Sequence, residues 1–238
     1  MNSWDRRTFL YRAGAASAAA GLGAIGFAQQ SGESEHKKGG KEEEQVEVTP
    51  TEDLMREHGL LNRVLLIYDY SGRQLQENRQ FDVTTLASAA GIIKNFIEQY
   101  HEKLEEDHIF PRFEKANKLV DLVKILRAQH AAGRRVTADI EQMSKATVWK
   151  DAGQRGKLWQ ALESFVRMYR PHEAREDTIL FPALHTIVSK SEFDAMGDQF
   201  ESQEHKMFGE EGFEGQVERV GELEKKLGIF DLAQFTPR

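Results

Sequence analysis

The chain has 238 residues, of which 39% are hydrophobic and 30% charged, and its formal net charge is −7 at pH 7. These values are typical of a soluble globular protein. No cluster of Lys and Arg is long enough to follow a phosphate backbone, which argues against nucleic acid as a partner. The absence of cysteine excludes disulfides, thiolate zinc sites, iron–sulfur clusters and cysteine nucleophiles.

Residues 1–28 are predicted to be a signal peptide rather than part of the fold. A charged start is followed by a Gly/Ala-rich apolar run at 13–28, which is too short to span a bilayer. The letters RRTFL at 6–10 resemble a twin-arginine signal, although Asp5 and Tyr11 depart from that pattern. We therefore expect export to the periplasm or another extracytoplasmic compartment, with cleavage near Ala28 and membrane contact only during export.

The remainder of the chain divides into three parts by composition. Residues 29–50 are polar, contain glycine and nearly lack large apolar side chains, so they are predicted to be a flexible linker. Residues 51–190 carry apolar side chains at helical spacing and are predicted to be the folded domain. Residues 191–238 are predicted to be a helical tail that packs on it.

The apolar periodicity predicts an all-α protein without strands. Four long helices are expected at 51–77, 84–118, 119–145 and 151–188, and shorter ones near 191–208 and 213–227. Connections of a few residues favour antiparallel neighbours. The predicted architecture is therefore an antiparallel, up-down-up-down four-helix bundle with short C-terminal helices.

The most informative feature is an internal repeat at an offset of about 71 residues. HEKLEE at 101–106 recurs as HEARED at 172–177, and in each copy a Phe-Pro pair follows, with the proline ten residues after the histidine. A further histidine precedes each copy, His58 by 43 residues and His130 by 42. The helix pair is therefore predicted to be duplicated, with a pseudo-two-fold axis.

The spacing within each copy predicts a metal site. A histidine and a glutamate four residues apart lie on one helical face, and the preceding histidine of each copy comes from another helix. Two carboxylates buried together need compensating cations. Mixed histidine and carboxylate ligands suit iron, manganese or zinc, and six ligands fit two iron ions better than one tetrahedral zinc. The predicted ligands are His58, His101, Glu105, His130, His172 and Glu176.

Other patterns in the sequence offer alternatives. Glu98-x-x-His101 and Glu105-x-x-His108 match the Glu-x-x-His element of ferritin-like proteins, but Tyr169 and Ile179 stand at the corresponding places in the second copy. His108 and His185 are interpreted as ordinary helix residues. Glu102 and Glu173 follow the repeat histidines; one of them is a candidate additional ligand, although a solvated or supporting role is preferred for both. A plain helical bundle with surface His–Glu pairs would leave every one of these residues without a metal.

In its four-part form the pattern resembles the hemerythrin-like (HHE cation-binding) family, over about residues 54–184. That resemblance implies a non-haem di-iron centre in which His58 and His101 hold one iron and His130 and His172 the other. Glu105 and Glu176 would bridge the ions, together with an oxo or hydroxo group. Iron is preferred over manganese or zinc.

Two departures from the oxygen-carrying members bear on function. Arg134 stands where those proteins have a second histidine after the one corresponding to His130, and Glu176 stands in place of an aspartate. The site thus resembles the sensor and stress members of the family more than the respiratory carriers. We expect a protein that binds dioxygen or nitric oxide; the alternative is a di-iron oxidase, peroxidase or nitric oxide reductase with the same ligands.

The C-terminal tail offers one more candidate. His205 follows Glu204 in a segment with the apolar residues Phe200, Met207 and Phe208. A tail that folds back over the open end of the bundle would bring Glu204 or His205 to the metal ion that lacks a histidine ligand because Arg134 stands in its place. The alternative interpretation is a surface histidine on an acidic tail.

Overall fold

The structure, a computed structural model, describes residues 48–237, which are built from helices and contain no strand. The helices are α1 (Pro50–Gln76), α2 (84–115), α3 (Val120–Met143), α4 (152–184), α5 (Lys190–Phe208) and α6 (Gly212–Leu227), with 3₁₀ turns at Ala146–Lys150 and Leu232–Phe235. The predicted signal peptide and the predicted linker up to residue 47 lie outside the described residues. Among the described helices, none is both long enough and apolar enough to cross a bilayer.

Local signals in the sequence account for where the helices begin and end. Thr49 caps α1 by accepting a hydrogen bond from the backbone N–H of Glu52, whose side chain bonds back to the N–H of Thr49. Ser189 and Glu192 form the same box at the start of α5. Helix α2 ends at Lys115, three residues before the predicted end, because Asn117 takes a left-handed φ of 51° that an α-helix does not permit.

Two of the long helices contain wider π-helical turns, which the sequence did not predict. They occupy Ile93–His101 and Glu105–Ile109 in α2 and Glu176–Leu180 in α4. The last two directly precede the Phe-Pro pairs at 110–111 and 181–182. Proline has no N–H and its ring clashes with the carbonyl four residues earlier in a regular α-helix, and a π turn changes that spacing. The duplicated Phe-Pro pair therefore coincides with a duplicated π turn.

The helices form a bundle in which neighbours run in opposite directions along two of the contacts. Between α1 and α4 the paired residues are His58–Asp177, Asn62–Glu173 and Asp69–Arg170. Between α2 and α3 they are Glu114–Arg127, Glu102–Arg134 and Lys94–Glu141. In both cases the residue numbers rise on one helix as they fall on the other. Helices α3 and α4 also pack together, so that α4 contacts both α1 and α3.

Helices α5 and α6 pack on the side of the bundle formed by α1 and α2. Phe96 and Tyr100 of α2 are fully buried, and their ring centroids lie 5.3 and 5.5 Å from that of Phe208 in α5. Phe213 at the start of α6 lies 6.2 Å from Phe96. Burial of large aromatic rings is strongly stabilising, so the C-terminal helices form part of the packed core.

Candidate metal centre

All six predicted ligands lie in one buried cluster inside the bundle, and none of them is more than 4% exposed. Their ligand atoms form two groups, each within 4.8 Å. One group contains His58, His101 and Glu105, and the other contains Glu105, His130, His172 and Glu176. The structure thus brings together residues from four helices in two groups that share one carboxylate.

The four imidazoles meet as two pairs across the bundle. The Nε2 atoms of His58 and His101 are 3.0 Å apart, and those of His130 and His172 are 3.2 Å apart. At a metal–nitrogen distance of about 2.1 Å, two ligand nitrogens at right angles are separated by about 3 Å. Each pair therefore has the separation of two ligands on one metal ion.

The two glutamates each reach both histidine pairs. For Glu105, Oε1 lies 3.9 Å from Nε2 of His101 and Oε2 lies 3.4 Å from Nε2 of His130. For Glu176, Oε2 lies 3.1 Å from Nε2 of His172 and 3.4 Å from Nε2 of His58. Carboxylates in such positions can bridge two metal ions.

Each imidazole also has an oxygen acceptor at its outer nitrogen. The Nδ1 atoms of His58, His101, His172 and His130 lie 2.7, 2.7, 2.9 and 3.2 Å from oxygens of Asp177, Glu57, Gln129 and Glu106. An Nδ1–H that donates outward leaves the Nε2 lone pair free to face inward, as metal-binding histidines require.

These four acceptors were not predicted from the sequence, although the repeat contains the signal for them. Glu57 and Gln129 directly precede the first histidine of each copy, and Glu106 and Asp177 directly follow the ligand glutamates. Two-fold related positions that are all polar indicate a common role. Only the contacts show that the role is to orient the imidazoles.

The charges of the two glutamates are not balanced by hydrogen bonds. All four carboxylate oxygens of Glu105 and Glu176 lack a hydrogen-bond partner among the described residues. Burial raises the pKa of the Glu105 carboxyl well above its usual range, and the Glu176 carboxylate raises it further. For Glu176 burial also acts upward, but the neighbouring His172 and His58 lower the pKa of this carboxyl below its usual range. Metal cations would supply the missing positive charge, so the residues present fit a metal pair.

The repeated Phe-Pro pair provides an apolar cover on the cluster. The Phe181 ring stacks on His58 with centroids 5.7 Å apart, and the Phe110 ring stacks on His130 at 5.5 Å. Both rings are at most 1% exposed. They exclude water from this side of the imidazoles, which strengthens electrostatic interactions within the cluster.

Arg134 and Glu102 lie beside the second histidine pair and bind each other. Arg134 Nη2 donates to Glu102 Oε2 at 2.8 Å and to Glu106 Oε1 at 2.7 Å, and Tyr169 donates to the other oxygen of Glu102 at 2.6 Å. Both oxygens of Glu102 are thus engaged. Glu102 binds Arg134 and Tyr169, and it also offers a ligand atom within 4.8 Å of those of Glu106 and His130.

Glu173, the counterpart of Glu102, has a different environment. Asn62 donates to its Oε2, while its Oε1 has no hydrogen-bond partner among the described residues. Burial raises the pKa of this carboxyl to about 8, and the negative charges of Asp177 and Glu176 act in the same direction. The two copies of the repeat are therefore chemically different around the shared cluster.

The ferritin-like pattern does not assemble into a ligand group within the described part of the chain. Neither Glu98 nor His108 belongs to any group of ligand atoms there that could hold a metal ion. The ring of His108 lies 5.6 Å from Phe200, and that of His185 lies 4.1 Å from Phe193. Both histidines pack on aromatic rings, and His108 lies within α2, whereas His185 lies in the turn directly after α4 and not within the helix predicted at 151–188.

Comparison with known proteins agrees with this geometry. The family model of the hemerythrin HHE cation-binding domain matches residues 49–184, which is more than half of the chain. The chain belongs to this family.

The names of the relatives of this hemerythrin-like chain give no more specific function. Uncharacterized proteins of Mycobacterium tuberculosis and of Mycobacterium bovis are each 48% identical to it over 195 residues, which cover 82% of this chain and 76% of each relative. No solved structure matches it.

A second match of the hemerythrin model covers residues 121–226, from α3 to α6. The two matches overlap over α3 and α4.

The structure does not bring His205 to the metal cluster, contrary to one of the two expectations for the tail. His205 is exposed, whereas Glu204 is only 4% exposed and accepts hydrogen bonds from the N–H of Phe213 at 2.5 Å and from the hydroxyl of Tyr100 at 3.4 Å. Successive helical residues point about 100° apart, so when Glu204 faces the bundle His205 faces solvent. The carboxyl of Glu204 instead lies near those of Asp53 and Glu57.

Proposed function

We propose that this protein holds two metal ions, with iron preferred, and that the pair binds dioxygen or nitric oxide in sensing, storage or stress protection. The observation that carries the proposal is the shared carboxylate: Glu105 lies between two histidine pairs, and neither of its oxygens has a hydrogen-bond partner among the described residues. A bridging ligand requires two ions. The proposed architecture around them is an antiparallel, up-down-up-down four-helix bundle formed by α1 to α4.

Iron is proposed because of the donor set and the arrangement of the donors. Imidazole and carboxylate without thiolate suit iron, and a carboxylate-bridged pair suits it better than a single tetrahedral zinc. Each ion would have two histidines and the bridging glutamates, which leaves room for an oxo or hydroxo bridge and an exogenous ligand. When bound, the metal pair supplies open coordination positions and reversible redox chemistry.

The protein contributes orientation and shielding. The outer acceptors of the four imidazoles fix the Nε2 lone pairs toward the cluster. Phe110 and Phe181 keep water from one side of it. An uncharged diatomic molecule crosses such an apolar cover more easily than an ion does, because burying a charge is costly.

The proposal is tested by metal content and visible spectra of the protein purified under iron-replete conditions. We expect two iron ions per chain and an absorption band that changes on addition of dioxygen, azide or nitric oxide. His101→Ala should lower the iron content, while the matched variant His185→Ala, which removes a histidine outside the cluster, should leave it unchanged. One zinc per chain without such absorption would contradict the proposal.

A second candidate function uses the same ligands for turnover. Arg134 stands where the oxygen carriers have a histidine, and it binds Glu102 and Glu106 rather than a metal. A metal ion with fewer protein ligands has more coordination positions open to a substrate, which suits a di-iron oxidase, peroxidase or nitric oxide reductase. Catalytic consumption of peroxide or nitric oxide by the loaded protein, instead of a stoichiometric spectral change, would favour this enzyme.

We also propose that the protein is exported by the twin-arginine route. The support is the sequence at 6–10 and the apolar run after it. Replacement of Arg6 and Arg7 by Lys should retain the precursor in the cytoplasm. Normal processing of that double variant would contradict the twin-arginine assignment.

A further inference from the structure

Tyr169 of α4 lies directly against the candidate metal centre. Its ring centroid is 5.4 Å from that of His172, one of the six cluster residues, and the residue is only 1% exposed. Its hydroxyl fits only because residue 133 of α3 is glycine: a Cβ there would lie 2.1 Å from the Tyr169 oxygen. The bundle thus has space at this point for a hydroxyl group and not for a larger side chain on α3.

The hydroxyl of Tyr169 has a single strong acceptor. It donates to Oε1 of Glu102 at 2.6 Å, and Glu102 is itself only 1% exposed. The other oxygen of Glu102 accepts a hydrogen bond from Arg134 at 2.8 Å. The guanidinium is a charged donor, and charge-assisted hydrogen bonds of this kind are stronger than neutral ones. The distance is within the range for direct proton transfer.

This arrangement occurs on one side of the pseudo-two-fold axis. The residue 71 positions before Tyr169 is Glu98, and the counterpart of Glu102 is Glu173, which accepts from Asn62. Aromatic residues at other positions of the bundle already fill its core, so core packing alone does not account for a tyrosine at this position. Beside the His130 and His172 pair, Tyr169 donates instead to the buried carboxylate of Glu102, which is paired with the partly exposed Arg134.

We propose that Tyr169 is an internal one-electron donor to the metal centre and that Glu102 accepts its phenolic proton. This inference rests on the proposed metal pair. In the step, the O–H bond of Tyr169 breaks, its proton forms a bond to Oε1 of Glu102, and one electron leaves the ring, which becomes a neutral phenoxyl radical. The oxidant is hydrogen peroxide, which takes two electrons and two protons to give two water molecules. Tyr169 supplies one electron, an iron ion supplies the other, and both protons come from solvent.

Further aromatic rings pack in sequence from Tyr169 away from the metal centre. Phe165 stacks on Tyr169 at 4.3 Å, and Tyr68 lies 5.4 Å beyond Phe165. Tyr68 is also fully buried, but its hydroxyl has no hydrogen-bond partner among the described residues. Because Tyr68 lacks an acceptor for its proton, it provides a matched control: a second buried tyrosine in the same bundle.

The experiment is rapid-freeze electron paramagnetic resonance of the full chain, loaded with iron under reducing conditions and then mixed with hydrogen peroxide. We expect a tyrosyl radical whose spectrum changes when the protein contains ring-deuterated tyrosine. Tyr169→Phe should abolish this signal at unchanged iron content, Tyr68→Phe should retain it, and Glu102→Gln should reduce it. Iron content and folding by circular dichroism are measured on every sample.

The outcomes separate this inference from the proposed function. Two irons per chain with no tyrosyl signal, or with a signal that persists in Tyr169→Phe, would overturn the role of Tyr169 and leave the metal site intact. A wild-type protein that binds no metal pair would overturn both. A signal that survives in Glu102→Gln at full intensity would overturn the proton acceptor.

Discussion

Glu98 carries a buried carboxyl one helical turn before His101. It is 6% exposed, and its Oε1 has no hydrogen-bond partner among the described residues. Burial raises the pKa of this carboxyl from 4.5 to about 7, and the negative charge of Glu102 adds to the effect. The native state therefore binds this proton more tightly than the unfolded chain does.

Such a shift makes the stability of the metal-free protein depend on pH. The stabilisation by the Glu98 proton is complete below pH 4.5 and is lost as the pH rises toward 7, with a slope of up to about 1.4 kcal/mol per pH unit. Glu98→Gln should flatten the decrease between pH 5 and 7, measured by urea unfolding of the metal-free protein. The exposed Glu163→Gln serves as the control and should keep the wild-type slope.

The shared carboxylate of Glu105 is expected to reduce stability until metal binds. Glu105→Gln keeps the shape of the side chain but removes a carboxyl that the metal-free protein can bury at pH 7 only by protonating it. The metal-free variant should therefore be more stable at pH 7, by about 1–3 kcal/mol in free energy of unfolding, and should unfold at a higher temperature. The same variant should lose metal and gain no further stability on addition of iron. Differential scanning calorimetry with and without iron tests both effects. A variant that is destabilised without metal and still binds two irons would contradict the assignment of Glu105 as the bridge.

At the level of single helices, Gly133 shows how closely α3 and α4 pack. Gly133→Ala would place a Cβ 2.1 Å from the Tyr169 hydroxyl, so the hydroxyl must move and its bond to Glu102 must break. We expect a loss of about 1–3 kcal/mol in unfolding free energy. In Gly156→Ala of α4, where nothing lies within 4 Å of the added Cβ, helix propensity alone should raise stability by up to about 1 kcal/mol. Chemical denaturation of the two variants tests the contrast.

The sequence predicted that each helix exists and which residues form the cluster. It did not predict the π turns or the rotation of the helices about their axes. Apolar periodicity and the spacing His-x-x-x-Glu are local patterns, so His101 with Glu105 and His172 with Glu176 could be assigned to common faces. The π turns could not be predicted, because a proline within a helical pattern is accommodated by a kink or a helix end as well as by a π turn. The inward face of Glu204 and the outward face of His205 depend on the rotation of α5 against α1 and α2, which is a property of packing.

At the level of the whole molecule, the C-terminal helices contribute to stability through a few buried rings. Phe200 in α5 is 1% exposed and its ring lies against that of His108, whereas Met207 on the same helix is 41% exposed. Phe200→Ala should cost about 3–5 kcal/mol in unfolding free energy, and Met207→Ala less than about 0.5 kcal/mol. Thermal unfolding compares the two. Equal, small losses would indicate that α5 does not belong to the cooperative unit.

The outer acceptors of the four imidazoles make the two halves of the cluster unequal. His58 and His101 are backed by carboxylates, whereas His172 is backed by the neutral amide of Gln129, and the Glu106 carboxylate behind His130 is shared with Arg134. An imidazole backed by a carboxylate is the more basic ligand, so in the proposed centre the outer acceptors would give the His58 side the higher affinity for cations and for the higher oxidation state. Ions would therefore fill the centre in a fixed order, and a pair oxidised by a single electron would keep its charge localised on one ion. In a titration with metal ions, the protein that holds one ion would then accumulate as a single species, with the ion on the His58 side, instead of as an even mixture of the two singly occupied forms.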